Sequence, residues 1–533
     1  MSLRTARARA GIAVALAVAA ACAVWAQSGA RKPAPVVGKS LRYCNPLPID
    51  ASSDDGSPRG VSLGDVTIVK EGDTYYMFTT GGGAWLSKDL LDWKYQPVTG
   101  ARVPVAPHVV KYNGMFYMSG NNAPLYASKN ILGPYELYGP WLDEKGQPWT
   151  GVSNGRKWDQ AFDVFIFVDD DNKPYLYFPG RSTDGIYVAP LDPKQLNRFA
   201  AAPKRLITFD PSHEWERWGE AHEYANVAWI EGPWVIKHNG TYYLQYSASG
   251  TQWMSYATGY YTSKSPLGPF KYAPNNPLMR KTSGVVTGAG HGCMIKAPDG
   301  NWWQFYTIVL PSFPGGRRLG MDPVGFDKNG NMFIKVTETP QWAPGVLADP
   351  AAGNDSGSIP LTINKMSAMN QRGGASSERP GREAPYATDN YNGTWWEPAE
   401  DDKQPTLTVD LGSITEWEDP QYFVVDSARI QFATGVARRG RAPARGAQQQ
   451  PAAQPGGSTA FRYKIEVSED GKTYTTILDK TNNNRTRYTE FDELPQTKCR
   501  FVRLVMTDWP RHVPLGILDF TVFGKPAEQT AAR

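Results

Sequence analysis

The chain has little cysteine, little net charge and no internal run apolar enough to cross a bilayer. Four cysteines in 533 residues cannot build a disulfide scaffold, and none stands in a Cys-x-x-Cys or other metal-ligand spacing. Cys22 lies in the N-terminal leader; Cys44, Cys293 and Cys499 remain, an odd count that fits buried free thiols, with Cys44 and Cys293 the pair able to bridge. Lys and Arg number 56 against 52 Asp and Glu, a formal charge of +4. Three of the positives, Arg4, Arg7 and Arg9, fall in the leader, so the rest is closer still to neutral. Such a chain has no general grip on phosphate backbones or anionic lipid, which argues against nucleic-acid binding, membrane-surface binding and membrane insertion. No sustained helical period interrupts residues 40–345.

Aromatics are plentiful: 18 Trp, 27 Tyr and 20 Phe give ample surface to bury, which excludes disorder for the bulk of the chain. Residues 1–26 combine those three arginines, an apolar run of about 14 residues and small residues at the cleavage positions of a secretory signal, where a spanning helix needs roughly 20. The expected location is therefore secreted or periplasmic. Cys22, after three alanines, offers the weaker alternative of a lipoprotein anchor.

A short pattern recurs along the chain, a Gly or Asn turn followed by alternating aromatic and apolar residues. It reads EGDTYYMF at 71–78, YNGMFYM at 112–118, DNKPYLYF at 171–178, HNGTYYLQY at 238–246 and PDGNWWQFY at 298–306. Each reads as a hairpin, and each follows an apolar run that supplies an earlier strand. Three or four short strands per unit, repeated five times, predict an all-β fold opening with a five-bladed β-propeller over 40–345. A Gly/Ala/Ser/Asn-rich linker is expected over 346–383. Short strands over 384–524 then predict a β-sandwich of the jelly-roll or galactose-binding type, with a disordered, arginine-bearing insertion at 435–458.

A propeller brings the first strand of every blade to its axis. Asp65, Asp163 and Glu231 each stand just before such a strand, at equivalent positions of three blades. Carboxyls so placed cannot all ionise cheaply, so one is held protonated as a general acid, another activates water and the third tunes the acid.

The runs GDVTIVKEGDTYYMF (64–78), FDVFIFVDDD (162–171), IEGP (230–233) and GHGCMIKAPDGNWW (290–303) resemble glycoside hydrolase family 43. The resemblance implies an inverting glycosidase with Asp65 as general base, Asp163 as modulator and Glu231 as general acid. It also matches His291 to a histidine near the axis that in some members holds a calcium or other ion through water. No cofactor is required on this reading, and a structural calcium is the one ion implied. The second unit departs from the family in carrying His108 after Ala-Pro, where an acid is usual; His108 is a candidate substrate ligand or a structural histidine. Trp85 and Trp253 are candidate stacking platforms, and in PGGRRLG (314–320) Arg318 is the candidate substrate arginine rather than Arg317. The segments 386–396, 409–412 and 467–474 resemble the discoidin, or coagulation factor 5/8 C-type, sandwich, which implies carbohydrate binding.

The expected function is hydrolysis of polysaccharide or oligosaccharide, as α-L-arabinofuranosidase or β-xylosidase. A galactan-directed exo-hydrolase of the same family, or a non-catalytic glycan-binding propeller, are the alternatives. The sequence carries no signal for protein partners.

Overall fold

The hairpins form where the turns demand them. Asn113-Gly114 and Asn239-Gly240 both take positive φ, closing two-residue loops between Tyr112 and Met115 and between His238 and Thr241. That conformation suits Asn-Gly and matches the strand twist. The third strand of blades 1, 2 and 4 ends on a serine whose hydroxyl accepts a backbone N–H two residues on: Asp89 to Ser87, Asn130 to Ser128 and Ser265 to Ser263.

The computed structural model describes residues 41–51, 63–149, 151, 162–312, 316–366, 374–412, 421–433, 459–510 and 514–527. The expected leader at 1–26 and the insertion at 435–458 lie outside them. Every element below belongs to one unit, residues 42–533. Five antiparallel sheets follow one another, each led by an inner strand: Thr67–Glu71, Val105–Tyr112, Phe165–Val168, Glu231–His238 and Gly290–Lys296. Each inner strand touches the inner strands of both neighbouring sheets, the fifth returning to the first. The ring is therefore closed, and the fold is a five-bladed propeller. Blade 3 carries an extra strand, because Gln195–Phe199 and Lys204–Ile207 both pair with Ile186–Asp192.

Two further antiparallel sheets form the sandwich. One runs in the order Ile359–Pro360, Ile517–Pro526, Phe423–Phe432, Thr489–Cys499; the other in the order Gly374–Ala375, Thr406–Asp410, Phe501–Asp508, Arg462–Ser468, Thr475–Asp479. Their inward faces share a core that includes Trp396, Ile430, Phe461, Ile465, Leu504 and Phe520. The stretch expected as a linker is more ordered than its composition suggests: 359–360 and 374–375 are edge strands of the two sheets, and Gln341 bridges to Asp355. Cys44, Cys293 and Cys499 are all free and buried, so Cys44 and Cys293 do not bridge.

Candidate active site

Each inner strand is entered through one residue in the left-handed region: Asp65 (φ 52°), Ala106 (45°), Asp163 (42°), Gly232 (61°) and His291 (31°). In blades 2, 4 and 5 the register slips immediately afterwards, a bulge that turns the chain toward the axis. Asp65 and Asp163 thus hold the same position of their blades, and His291 holds it in blade 5. Glu231 does not. It stands one residue earlier, level with Val105 and Phe162, which corrects the expectation of three equivalent acids.

These residues line one axial cavity of about 240 Å³: Asp65, Asp163, Glu231, His291 and Arg317, with Asn121, Val105, Phe162, Thr251 and Gln252. All three acids are buried. Asp65 is gripped on both oxygens, Oδ1 by Arg317 Nη1 at 2.7 Å and Oδ2 by the Thr80 hydroxyl. His291 Nδ1 stands 3.2 Å from Asp65 Oδ1 and 3.7 Å from Asp163 Oδ2. The backbone N–H of Asp65 donates to the Thr307 hydroxyl at 3.1 Å, which in turn donates to the His291 carbonyl at 3.0 Å; the His291 N–H donates to Ser247 Oγ at 2.8 Å. Asp163 donates its N–H to Asn121 Oδ1 and accepts from the N–H of Gly232 at 3.2 Å. Glu231 Oε1 accepts from the Tyr256 hydroxyl at 2.7 Å.

The carboxyls are driven apart electrostatically. Burial alone would raise Asp65, but the Arg317 guanidinium, the His291 imidazole and the Thr80 hydroxyl outweigh it and hold this carboxyl below the ordinary range. Glu231 goes the other way. Burial and then the neighbouring Asp163 carboxylate push it well above the usual value, and the Tyr256 hydrogen bond opposes them only in part. Asp163 is also raised, by burial and by Asp65, with His291 pulling back. One ionised and one protonated carboxyl facing the same cavity is the pairing that acid and base catalysis at a single bond requires.

Four of the eight residues picked from sequence lie on this cavity: Asp65, Asp163, Glu231 and His291. Trp85 does not, being fully buried with its Nε1 donating to the Asp50 carbonyl at 2.8 Å. It is a core residue of blade 1. His108 is buried too, edge-on to Phe165 (4.9 Å) and Trp234 (6.2 Å), and burial pushes it down to about 3. Thr67, His108, Phe165, Trp234 and Cys293 each lie two residues beyond the left-handed position, where the inner strands pack on one another. His108 is thus a neutral member of the plug beneath the cavity. Trp253 is half-buried beside the cavity rather than lining it, packed edge-on against Trp218 at 6.1 Å. Arg318 points away as well: strand alternation sends it to the sandwich side, 6.0 Å from the ring of Tyr488, while Arg317 faces the cavity.

Sequence reading named Arg317 but favoured its neighbour Arg318, and it missed Tyr256, Thr80 and Asn121. Only Arg317 left a signal, as half of an Arg-Arg pair that strand alternation must split. His291 spends Nδ1 on two carboxylates, and no group of three or more His, Cys, Asp or Glu among the described residues converges as a metal would need. The donor set does not suit a directly ligated ion, so no step below is routed through one.

A five-bladed propeller whose axial cavity holds carboxyls pushed in opposite directions, one fixed by an arginine, has the architecture and the pairing that acid–base chemistry at a single bond requires. The family model Glycosyl hydrolases family 43 matches residues 61–332, over half of the chain, and the chain belongs to that family. A second model, F5/8 type C domain, matches 445–517. A β-D-galactofuranosidase of Aspergillus niger is 29% identical over 248 residues, covering 42% of this chain and 64% of that protein. A xylosidase/arabinosidase of Butyrivibrio fibrisolvens is 28% identical over 287 residues, 47% of this chain and 49% of that one. The chain thus spans about half to under two thirds of these relatives. Among solved structures, a thermostable family-43 glycoside hydrolase is 27% identical with a TM-score of 0.45, covering 57% of this chain and 99% of that one.

Proposed function

We propose that the protein is an inverting exo-glycosidase acting on plant-type or microbial polysaccharide or oligosaccharide, with an α-L-arabinofuranoside or β-D-xyloside as its substrate. The observation that carries this reading is the opposite setting of two acids in one cavity. Asp65 is paired with a guanidinium, whereas Glu231 is bonded to a neutral phenol and crowded by carboxyls. Asp65 takes a proton from water as the water oxygen bonds to the anomeric carbon. Glu231 gives its proton to the departing glycosidic oxygen and regains one from solvent. Asp163, bonded to the Gly232 N–H beside Glu231, keeps the acid protonated until the bond breaks. A cavity of about 240 Å³ suits a terminal sugar residue better than a chain running through, which supports exo-action. Phe162, Trp229 and Trp218 continue from its wall as a string of rings 6.2 and 6.3 Å apart, a surface suited to stacking the leaving sugar. The leader-like residues 1–26 support export.

The test is hydrolysis of 4-nitrophenyl α-L-arabinofuranoside, β-D-xyloside, β-D-galactoside and β-D-galactofuranoside, with Asp65→Asn alongside and the first-formed anomer followed by NMR. Release from one glycoside, lost in the variant and giving the inverted anomer, supports the reading. Retention of the anomer would sink inversion. No release from the panel or from arabinan, xylan and galactan would turn the reading to a glycan-binding propeller.

A further inference from the structure

The C-terminal sandwich reaches the catalytic propeller at the two places that fix Arg317. Arg317 opens the strand Arg317–Phe326, which pairs with Trp302–Val309, Val309 standing opposite Arg317. Asn392 of the sandwich, itself buried, grips both flanks of this pair: its main-chain carbonyl accepts the Ser312 N–H at 3.2 Å, and its side-chain Nδ2 donates to the carbonyl of Val285. Val285 precedes Thr287, whose carbonyl accepts the Val309 N–H at 2.9 Å. Gln431 Nε2, from the central sandwich strand Phe423–Phe432, donates to Asn392 Oδ1 at 3.3 Å and ties the clamp to the sandwich core. The second place is Arg318. It is buried, its guanidinium lies 6.0 Å from the Tyr488 ring, and its Nη1 donates to the Arg317 carbonyl at 3.1 Å. Adjacent strand residues face opposite ways, so a side chain held against the sandwich sets the direction of its neighbour toward Asp65.

We propose that the sandwich is a positioning element for the reaction: Asn392, through Ser312 and Val285, and Tyr488, through Arg318, hold Arg317 on Asp65. The proposal rests on the reading of Asp65 as the base. Neither Asn392 nor Tyr488 lines the cavity, so both are positioning residues. Arg42 crosses the same face elsewhere, joining Asp426 at 3.0 Å, Glu493 and Ser358 on the sandwich side.

The whole protein is compared with Asn392→Ala, Tyr488→Leu, Tyr488→Phe and Arg42→Ala, reading kcat, KM and the thermal unfolding midpoint on the best glycoside. Asn392→Ala and Tyr488→Leu should lower kcat about 10-fold with KM within about twofold, since small displacements of a catalytic group are costly. Tyr488→Phe, which keeps the ring, should restore kcat. Arg42→Ala should lower the midpoint and leave kcat alone. In an Arg317→Ala background Tyr488→Leu should cost kcat nothing further, because the group it positions is gone. A lowered midpoint with unchanged kcat, or an equal kcat loss in the Arg317→Ala background, overturns the proposal. If Asn392→Ala does not fold, Tyr488→Leu and its Phe rescue decide alone. Full activity of Arg317→Ala itself would instead overturn the reading of the base.

Discussion

Arg317 Nη1 donates to Asp65 Oδ1 at 2.7 Å across 252 residues of chain, joining the first blade to the last. The bond places a permanent cation against the acid that the proposed mechanism needs ionised. It also crosses the seam where the propeller ring closes, so the geometry of the base depends on closure of the fold.

Replacing Arg317 by Lys removes the planar fork and lengthens the contact. With the guanidinium gone from Asp65, burial regains weight and its carboxyl titrates higher. The base must be ionised, so the acidic limb of the kcat/KM profile should move to higher pH, with kcat/KM at neutral pH down about 10²-fold. A limb that stays in place while activity falls would mean that Arg317 binds substrate and does not tune Asp65.

Tyr256 acts on the acid in the opposite sense. Its hydroxyl donates to Glu231 and favours the ionised form, so Tyr256→Phe should raise Glu231 further. A general acid is lost as pH rises through its own titration, and the alkaline limb should therefore move up. Glu231→Gln, by contrast, should cost about 10²–10⁴-fold on poor leaving groups and far less on 4-nitrophenol, which needs no proton. Equal losses on both kinds of leaving group would rule out Glu231 as the acid.

Gly64 marks a close approach. A Cβ there would lie 2.6 Å from Arg317 Cζ and Nε, closer than a side chain allows. Gly64→Ala should therefore push the guanidinium from Asp65 and reproduce the pH shift of the Arg317 variant. Because Arg317 can yield, the unfolding midpoint should fall little. A wild-type profile for Gly64→Ala would show that Arg317 is held elsewhere.

These residues show what a sequence carries and what it hides. The blades were legible because each hairpin announces itself locally, by Asn-Gly turns and aromatic alternation. Asp65, Asp163 and Glu231 were legible because they precede inner strands. Burial was not: Trp85 and His108 sit in runs that resemble rim and funnel, yet both pack inward, since neither type of residue states its own depth. Arg317 reaches Asp65 from the last blade, and only the closed ring brings it there; Tyr256 reaches Glu231 from the loop before the third strand of the same blade, 25 residues on. Asn392 was invisible because two of its partners, Val285 and Ser312, belong to the propeller, Val285 being 107 residues away.

One of the acids buried away from the cavity, Asp322, bears on stability. Asp322 is fully buried and takes hydrogen bonds from Tyr306 at 2.7 Å, Tyr43 at 3.2 Å, Asn45 at 3.3 Å and both the hydroxyl and N–H of Thr337. Burial nevertheless outweighs these bonds and pushes it up to about 7. The folded protein therefore binds a proton that the unfolded chain has already released between about pH 4 and 7. That proton's contribution is complete below the unfolded value and is lost as pH rises through the folded one, on the order of 4 kcal/mol across the window. Urea unfolding of the wild type should thus show a fall in stability between about pH 4 and 7, and Asp322→Asn should flatten it, with the two curves converging toward acid pH. Parallel curves across that window would mean that Asp322 is ionised in the folded protein, held by its five donors despite its burial.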